Sequence, residues 1–407
     1  MPHQRLEETL RTELAALEDA GARKGRETVI VGIVPSGGDR GPRYLLEGEG
    51  NKPFLRMNSN GYLGMALKPE LIEADAAATR AYGVGPGAVR FISGTLSPHI
   101  ELERQLATFH GRQAGMIFSS AYATVMGILP PLISPDTAVI SDELNHNCII
   151  NAIRLARPRE RHVYRHLDLG ELERALTASA GTSQRAIVVT DGIFSMRGDH
   201  APLNQIMDLA RQFDDAFPEN VLVVVDDSHG VGAFGATGRG TEEYAGNCAV
   251  DILVGTLGKA FGVNGGYIVA SSAIVDYLRE KAPFYVYSNP ITPGEAAAAT
   301  QALKIVDSTK GRRLLDHLRE MTARLGSGLV ALGLETIPGD HPIVPLMVRD
   351  TSKTATLVRY LRDKGILSTG LNYPVVPKGE EEIRFQVSAD HTAADIDELL
   401  AILAERP

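Results

Sequence analysis

A chain of 407 residues that is 44% hydrophobic, 22% charged and 6% aromatic is globular; its composition excludes a disordered, collagen-like or low-complexity protein. Its 41 Lys+Arg against 50 Asp+Glu leave a net charge of −9 with no basic block, which argues against general nucleic-acid binding. Two cysteines, Cys148 and Cys248, cannot build a disulfide framework or a structural zinc site, and they point to a reducing, cytoplasmic compartment.

In chain order, the N-terminus is too charged for a signal-peptide core, and Leu6, Leu10, Leu14 and Leu17 recur at helical spacing. It reads as an amphipathic surface helix. Short β-like runs follow within 28–57 (TVIVGIV, RYLLEGE, PFLRM), broken by SGGDRG and GEGNKP, so 1–57 is a helix plus a β-rich lead-in. From about residue 66, helix-like stretches such as 99–111, 169–180 and 202–216 alternate with apolar runs. Those runs are GMIFSS, TAVISD, RHVYRH, AIVVTDG, VLVVVDD, DILVGTLGK and GYIVASS. Runs that are apolar throughout, not alternating, predict strands covered on both faces, hence a mostly parallel sheet between helices. The last hundred residues change character. A helical 294–333 leads to IVPLMV, a helix over 351–364, ILSTGLN, EIRFQVS and a closing helix over 392–405, which predicts a smaller α+β domain. The boundaries drawn are 1–57, 58–293 and 294–407. No stretch approaches the roughly 20 apolar residues of a membrane span.

Ligands of open α/β sheets bind beyond the carboxyl ends of the strands, so those ends hold the candidates. VLVVVDDSHG puts Asp226, Asp227 and His229 at one end; the plain alternative is a capping Asp and a satisfied core His. A metal is disfavoured, because the His162/His166 pair sits in a strand-like run and further ligands at helical spacing are missing. GTLGKAFG hems Lys259 among apolar and Gly residues, where a desolvated amine becomes nucleophilic. GMIFSSAYAT leads a strand into a helix whose first N–H groups, at Ala121 and Tyr122, could hold an anion; plain serine N-capping explains the same residues. GVGPGA (83–88) matches a dinucleotide fingerprint, but a helix-like stretch precedes it where a strand is required. A phosphate cradle, an acid for a ring nitrogen, a histidine and a buried lysine are together what pyridoxal phosphate (PLP) requires.

These segments resemble the α-oxoamine synthases, a branch of the fold-type-I PLP enzymes related to aspartate aminotransferase. The matching segments are NGYLG, VRFISGT, SDELNH, DGIFSMRG, VVVDDSHGVGAFG, GRG, GTLGKAFG, YSNPITP, YPVVPKG and EIRFQVSADHT, in order from about residue 55 to the end. VRFISGT, YPVVPKG and SADHT carry a closer likeness to the glycine C-acetyltransferase (2-amino-3-ketobutyrate coenzyme A ligase) branch. The resemblance implies an aspartate aminotransferase-like fold: a large domain with a mostly parallel seven-stranded sheet and a smaller C-terminal α+β domain. It also implies PLP held as an imine by Lys259, with Asp226 on the ring nitrogen, His229 and Ser195 near the ring oxygen and His146 stacked on the ring. Ala121 and Tyr122 N–H groups and the Thr256 hydroxyl would hold the phosphate, joined by Ser288 and Asn289 from a neighbouring subunit of a homodimer. Asn60 and Arg384 would hold the amino-acid carboxylate, and His146 would assist at the thioester oxygen.

The reaction so implied joins a small amino acid, glycine in the first instance, to an acyl-CoA, acetyl-CoA in the first instance, or to an acyl carrier protein. An 8-amino-7-oxononanoate synthase, or another user of longer acyl chains, is the alternative within the family. A nicotinamide oxidoreductase built on GVGPGA and a non-catalytic homologue are the alternatives outside that chemistry; the intact Lys259 argues against the second. This chain departs from the family pattern at Gly61, at Cys148 in place of serine, at Pro98, and in a loop after Lys259 that is one residue shorter than in the ligase. These departures leave the cofactor chemistry intact and bear on substrate identity.

Overall fold

Seven apolar runs become seven strands of one sheet in the computed structural model, which describes residues 3–19, 23, 25–373 and 375–407. They are β1 (Ala114–Phe118), β2 (Thr137–Asp142), β3 (Glu160–Tyr164), β4 (Arg185–Asp191), β5 (Val221–Asp226), β6 (Ile252–Thr256) and β7 (Gly266–Ala270). Their order across the sheet is β1-β7-β6-β5-β4-β2-β3. β2 through β6 are parallel, and β7 alone runs antiparallel to both its neighbours, β1 and β6. The fold is therefore the mostly parallel fold-type-I sheet.

Helices cover both faces, which is why the strands are apolar at consecutive positions. On one face Val139, Ile187, Val189, Val224, Ile252, Val254 and Ile268 pack with Val125, Ile128 and Leu129 of the helix Ala121–Leu132. Ile149 and Ile153 of the helix Asn147–Ala156 join the same cluster. Truncating one such isoleucine to alanine costs about 2–5 kcal/mol. β3 is the exception, polar and half-exposed, because it closes the sheet as an edge. Parallel packing brings the carboxyl ends of β2, β4, β5 and β6 to one side. Asp191 and Asp226 are direct cross-strand partners there.

The chain forms two compact units. The larger holds residues 60–320 and 339–342; the smaller holds 1–59, 321–338 and 343–407. The smaller contains an antiparallel three-stranded sheet (Ile343–Met347, Glu382–Gln386, Thr369–Leu371) and the N-terminal strands Ile30–Val34, Arg43–Leu46 and Pro53–Arg56. The lead-in is no separate body: Ile366–Leu367 pairs in parallel with Pro53–Arg56. Arg43, nearly buried, donates to Asp395 at 2.7 Å and to Glu398 at 2.9 Å, tying it to the C-terminal helix. The second boundary falls at 320/321, not at 293/294. The helix Pro293–Val306 stays with the larger unit because Ala296, Ala299 and Ala302 are fully buried against the helices Pro69–Tyr82 and Ser97–Phe109. A Cβ at Gly294 would meet Asp75 Oδ1 at 2.7 Å, so only glycine permits that approach.

GVGPGA follows the helix Pro69–Tyr82 and precedes a π-helical turn, Arg90–Gly94, so the strand–turn–helix context of a dinucleotide site is missing. Among the described residues no helix is long and apolar enough to cross a membrane.

Candidate active site

Seven of the sequence-predicted residues line one pocket within the larger unit: Ala121, Tyr122, His146, Ser195, Asp226, His229 and Lys259. Cys148, Asp191, Ile193 and Ser228 complete its wall.

The two aspartates of DDSH separate cleanly. Asp226 ends β5, lines the pocket, and accepts the Ser228 N–H at 3.1 Å on Oδ1, which leaves Oδ2 toward the pocket side with the Cys148 thiol 3.8 Å away. Asp227 is fully buried and points elsewhere. Its carboxyl accepts the Thr241 N–H at 2.7 Å and the Thr241 hydroxyl at 2.5 Å. Gly192, Gly230 and Gly240 crowd it so closely that a Cβ at any of them would collide with its carboxyl oxygens. Burial, only partly offset by the Thr241 bonds, pushes Asp227 up to about 8. It is a structural acid.

His146 sits at the N-cap of the helix Asn147–Ala156. Its backbone N–H donates to Asp191 Oδ2 at 3.1 Å, and its ring Nδ1 accepts the Cys148 N–H at 3.3 Å. A lone pair on Nδ1 assigns the ring proton to Nε2. Burial lowers the imidazole pKa; Asp226 opposes that and Lys259 adds to it. A neutral ring with its donor at Nε2 results. Asp191, fully enclosed beside Asp226, is pushed well above the usual carboxylate range by burial and by its neighbour's charge. Burial and the two carboxylates also push up the Cys148 thiol, so it is no nucleophile.

Ser120 caps the helix Ala121–Leu132, its hydroxyl accepting the Ala123 N–H at 3.1 Å. That leaves the Ala121 and Tyr122 N–H groups, at the positive end of the helix dipole and in the pocket wall, for an anion. Capping and anion binding are thus compatible here. Gly266 makes room: a Cβ there would lie 2.4 Å from Ala121 N. Thr256, at the end of β6, is not in the wall; its hydroxyl donates to Gly265 O at 3.2 Å and accepts the Gly258 N–H at 3.1 Å, shaping the lysine loop. His229 Nδ1 lies 2.7 Å from the hydroxyl of Tyr62, whose ring is fully buried, and Tyr62 reaches Asn60 Oδ1 at 3.4 Å. His341 Nε2 donates to the His229 carbonyl at 2.9 Å, and burial drops its pKa to about 3.

Five predicted residues lie outside this wall: Thr256, Asn60, Ser288, Asn289 and Arg384. Ser288 and Asn289 are half-buried and exposed, in the loop after the helix Pro283–Val286. Arg384 belongs to the smaller unit, half-buried on Glu382–Gln386 between the fully buried Ile383 and Phe385. In the YPVVPKG segment, Pro374 lies outside the described residues. Sequence reasoning passed over Asp191, although TDG at a strand end gave the same signal as VDD. Tyr62 was inside the NGYLG match without a role. His341 comes from a distant four-residue return into the larger unit and leaves no local signal.

A family model described as aminotransferase class I and II matches residues 52–403. The 8-amino-7-oxononanoate synthase of Thermosipho melanesiensis is 40% identical over 349 residues, 85% of this chain and 86% of that protein. This chain belongs to the α-oxoamine synthase family of fold-type-I PLP enzymes. Sphingomonas wittichii serine palmitoyltransferase superposes with a TM-score of 0.88 at 26% identity, over 98% of this chain and 96% of that one. A structure of SPT with PLP gives 0.85, also at 26% identity, over 97% and 96%. PLP is accordingly the cofactor of this α-oxoamine synthase, and the pocket fits it. An amine, a strand-end carboxylate and two uncommitted helix N–H groups converge, and Ser228 Oγ is buried in the wall without a partner.

Proposed function

We propose that this α-oxoamine synthase joins alanine to a seven-carbon acyl thioester that ends in a carboxylate, acting as an 8-amino-7-oxononanoate synthase. The observation that carries the substrate reading is that relatives of that name are 37–40% identical over 85–98% of the chain. The name dictates the substrates. An amine at C8 beside a terminal methyl is alanine without its carboxyl carbon, and C1 to C7 are a carboxyacyl group joined through the C7 ketone. One C–C bond forms, and the thiol and carbon dioxide leave.

PLP supplies an aldehyde that takes up amines and a pyridinium ring that stabilises negative charge on the adjacent carbon. Asp226 holds the proton on the ring nitrogen. Lys259 Nζ anchors the cofactor and, once displaced by substrate, takes the Cα proton. The Ala121 and Tyr122 N–H groups would bind the phosphate, Thr256 would shape the lysine loop through Gly265 O and the Gly258 N–H, and Ser195 and His229 would orient the ring. His146 would stack on the ring, and its Nε2 proton would serve the thioester oxygen. Asn60 and Arg384 hold the substrate carboxylate, Arg384 as a bidentate fork.

The site is shared in a homodimer on this reading, with Ser288 and Asn289 reaching the neighbour's phosphate. Three large apolar side chains nearby in the chain or on the packed turn are exposed: Tyr287 (79%), beside Ser288, and Phe91 (69%) and Ile92 (67%). The turn bearing Phe91 and Ile92 packs on the helix Pro283–Val286, with Arg90 over the Tyr285 ring at 5.2 Å. Such a patch on a water-facing surface marks an interface.

A second reading, glycine with acetyl-CoA, rests on VRFISGT, YPVVPKG and SADHT. Mass spectrometry of products, from alanine, glycine and serine each offered with acyl-CoAs of graded length and with the carboxyacyl donor, decides. The proposal expects the nine-carbon amino ketone from alanine alone; a glycine–acetyl adduct as main product would replace it.

A further inference from the structure

Outside the pocket, one buried charged cluster ties together the loops that build it. Asp142 ends β2 with its side chain fully buried. It accepts the Leu144 N–H at 2.9 Å on Oδ1 and the Leu167 N–H at 3.0 Å on Oδ2, shaping the loop that delivers His146. Asp199 lies in the loop after β4, which carries Ile193 and Ser195 into the wall beside the strand-end Asp191 and is closed by the Ile193–His200 bridge. His166, just after β3, stands between them: Nδ1 is 3.1 Å from Asp142 Oδ1 and Nε2 is 3.2 Å from Asp199 Oδ2. Its ring meets Phe194 edge-on at 4.4 Å, and Phe194 N–H donates to Asp199 O at 3.0 Å.

A neutral imidazole has one donor and one acceptor, so only the imidazolium satisfies carboxylates on both nitrogens. Burial works against that charge, but the hydrogen bonds to Asp142 and Asp199 outweigh it and raise His166 to about 9. The other charged groups about it are Arg197, whose Nε donates to Asp199 Oδ2 at 2.9 Å, and Glu143, which accepts the His166 N–H at 2.8 Å.

We propose that His166 is a positioning residue for the cofactor site, an imidazolium bolt that fixes the His146 loop against the Ser195 loop. It touches neither substrate nor cofactor. The inference rests on the pocket holding PLP and is independent of which substrates the enzyme takes. It also gives His166 a use that the His162/His166 spacing did not suggest.

The test is PLP titration of the apoprotein, with visible circular dichroism of the bound cofactor and thermal melting, for wild type, His166→Gln and Asp199→Asn. Breaking one charge-assisted contact should weaken PLP binding about ten- to hundredfold at pH 7 in each variant. The visible dichroism should change as the ring loses its fixed seat. Relative to the variants, wild-type affinity should hold below pH 8 and fall through pH 9, where the bolt discharges. Should His166→Gln not fold, Asp199→Asn decides, because it keeps the His166–Asp142 pair. A lower melting temperature with wild-type PLP affinity, dichroism and pH profile would reduce the cluster to a structural role and overturn the proposal. Substrate failure with these cofactor readouts as expected would instead count against the proposed function.

Discussion

Replacing each aspartate of the DDSH pair by asparagine should have opposite consequences, although the two side chains are adjacent. Asp226 faces the pocket and is the candidate partner of the cofactor's ring nitrogen. An amide keeps the Ser228 N–H contact and the packing, so the variant should fold and take up PLP. It cannot hold a proton on the ring nitrogen. Loss of one buried charge-assisted hydrogen bond, about 1.5–3 kcal/mol, sets a floor of roughly 10- to 150-fold on the fall in kcat. Asp227 is already raised to about 8 by burial, so below that pH it is largely uncharged and an amide is nearly isosteric with it. Asp227→Asn should therefore keep most of its turnover. Linkage supplies a second readout. An acid whose folded pKa exceeds its unfolded value stabilises the fold below the unfolded pKa, and that stability is lost as pH rises through the folded one. Asp227→Asn should thus gain melting temperature relative to wild type between about pH 4 and pH 8, and no further above. Steady-state kinetics, the cofactor spectrum and melting curves across pH check both halves. An active Asp226→Asn beside an inactive, well-folded Asp227→Asn would refute the assignment.

Lys259→Ala should bind PLP without the borohydride-reducible absorbance of the wild type and show no turnover. Ser120→Ala removes an N-cap and should cost about 1 kcal/mol of stability, about 1–2 °C in melting temperature, with weaker PLP binding in titrations. Mixed dimers of Lys259→Ala with a Ser288/Asn289 double alanine variant should regain partial activity through one intact shared site; none would count against sharing. Arg384→Ala should weaken amino-acid binding roughly thirty- to several-thousand-fold, about 2–5 kcal/mol, seen in the substrate-induced spectral shift, with the thioester KM little changed.

The large sheet was legible because burial on both faces removes alternation, and five strand ends could be lined up by the carboxyl-end rule alone. Lys259 and the Asp226, Asp227 and His229 set were candidates at those ends, while His146 entered only through the family resemblance. The domain boundary was not legible: Pro290–Pro293 reads as a break, yet the alanine face of 293–306 is spent on the larger unit. The strand end by itself offered Asp226 and Asp227 alike and only the family resemblance chose Asp226, because the physical difference lies in Thr241, fourteen residues away, and in three glycines that crowd Asp227. His166 was equally hidden, since its partners come from two other loops.

The proposed decarboxylative condensation of alanine, with Lys259 taking the Cα proton, is tested most directly with carboxyl-labelled alanine and the seven-carbon carboxyacyl thioester on purified, PLP-loaded enzyme. One labelled carbon dioxide and one free thiol per amino ketone are expected, and none with Lys259→Ala. Label retained in the product, or label release that survives Lys259→Ala, would contradict the proposal.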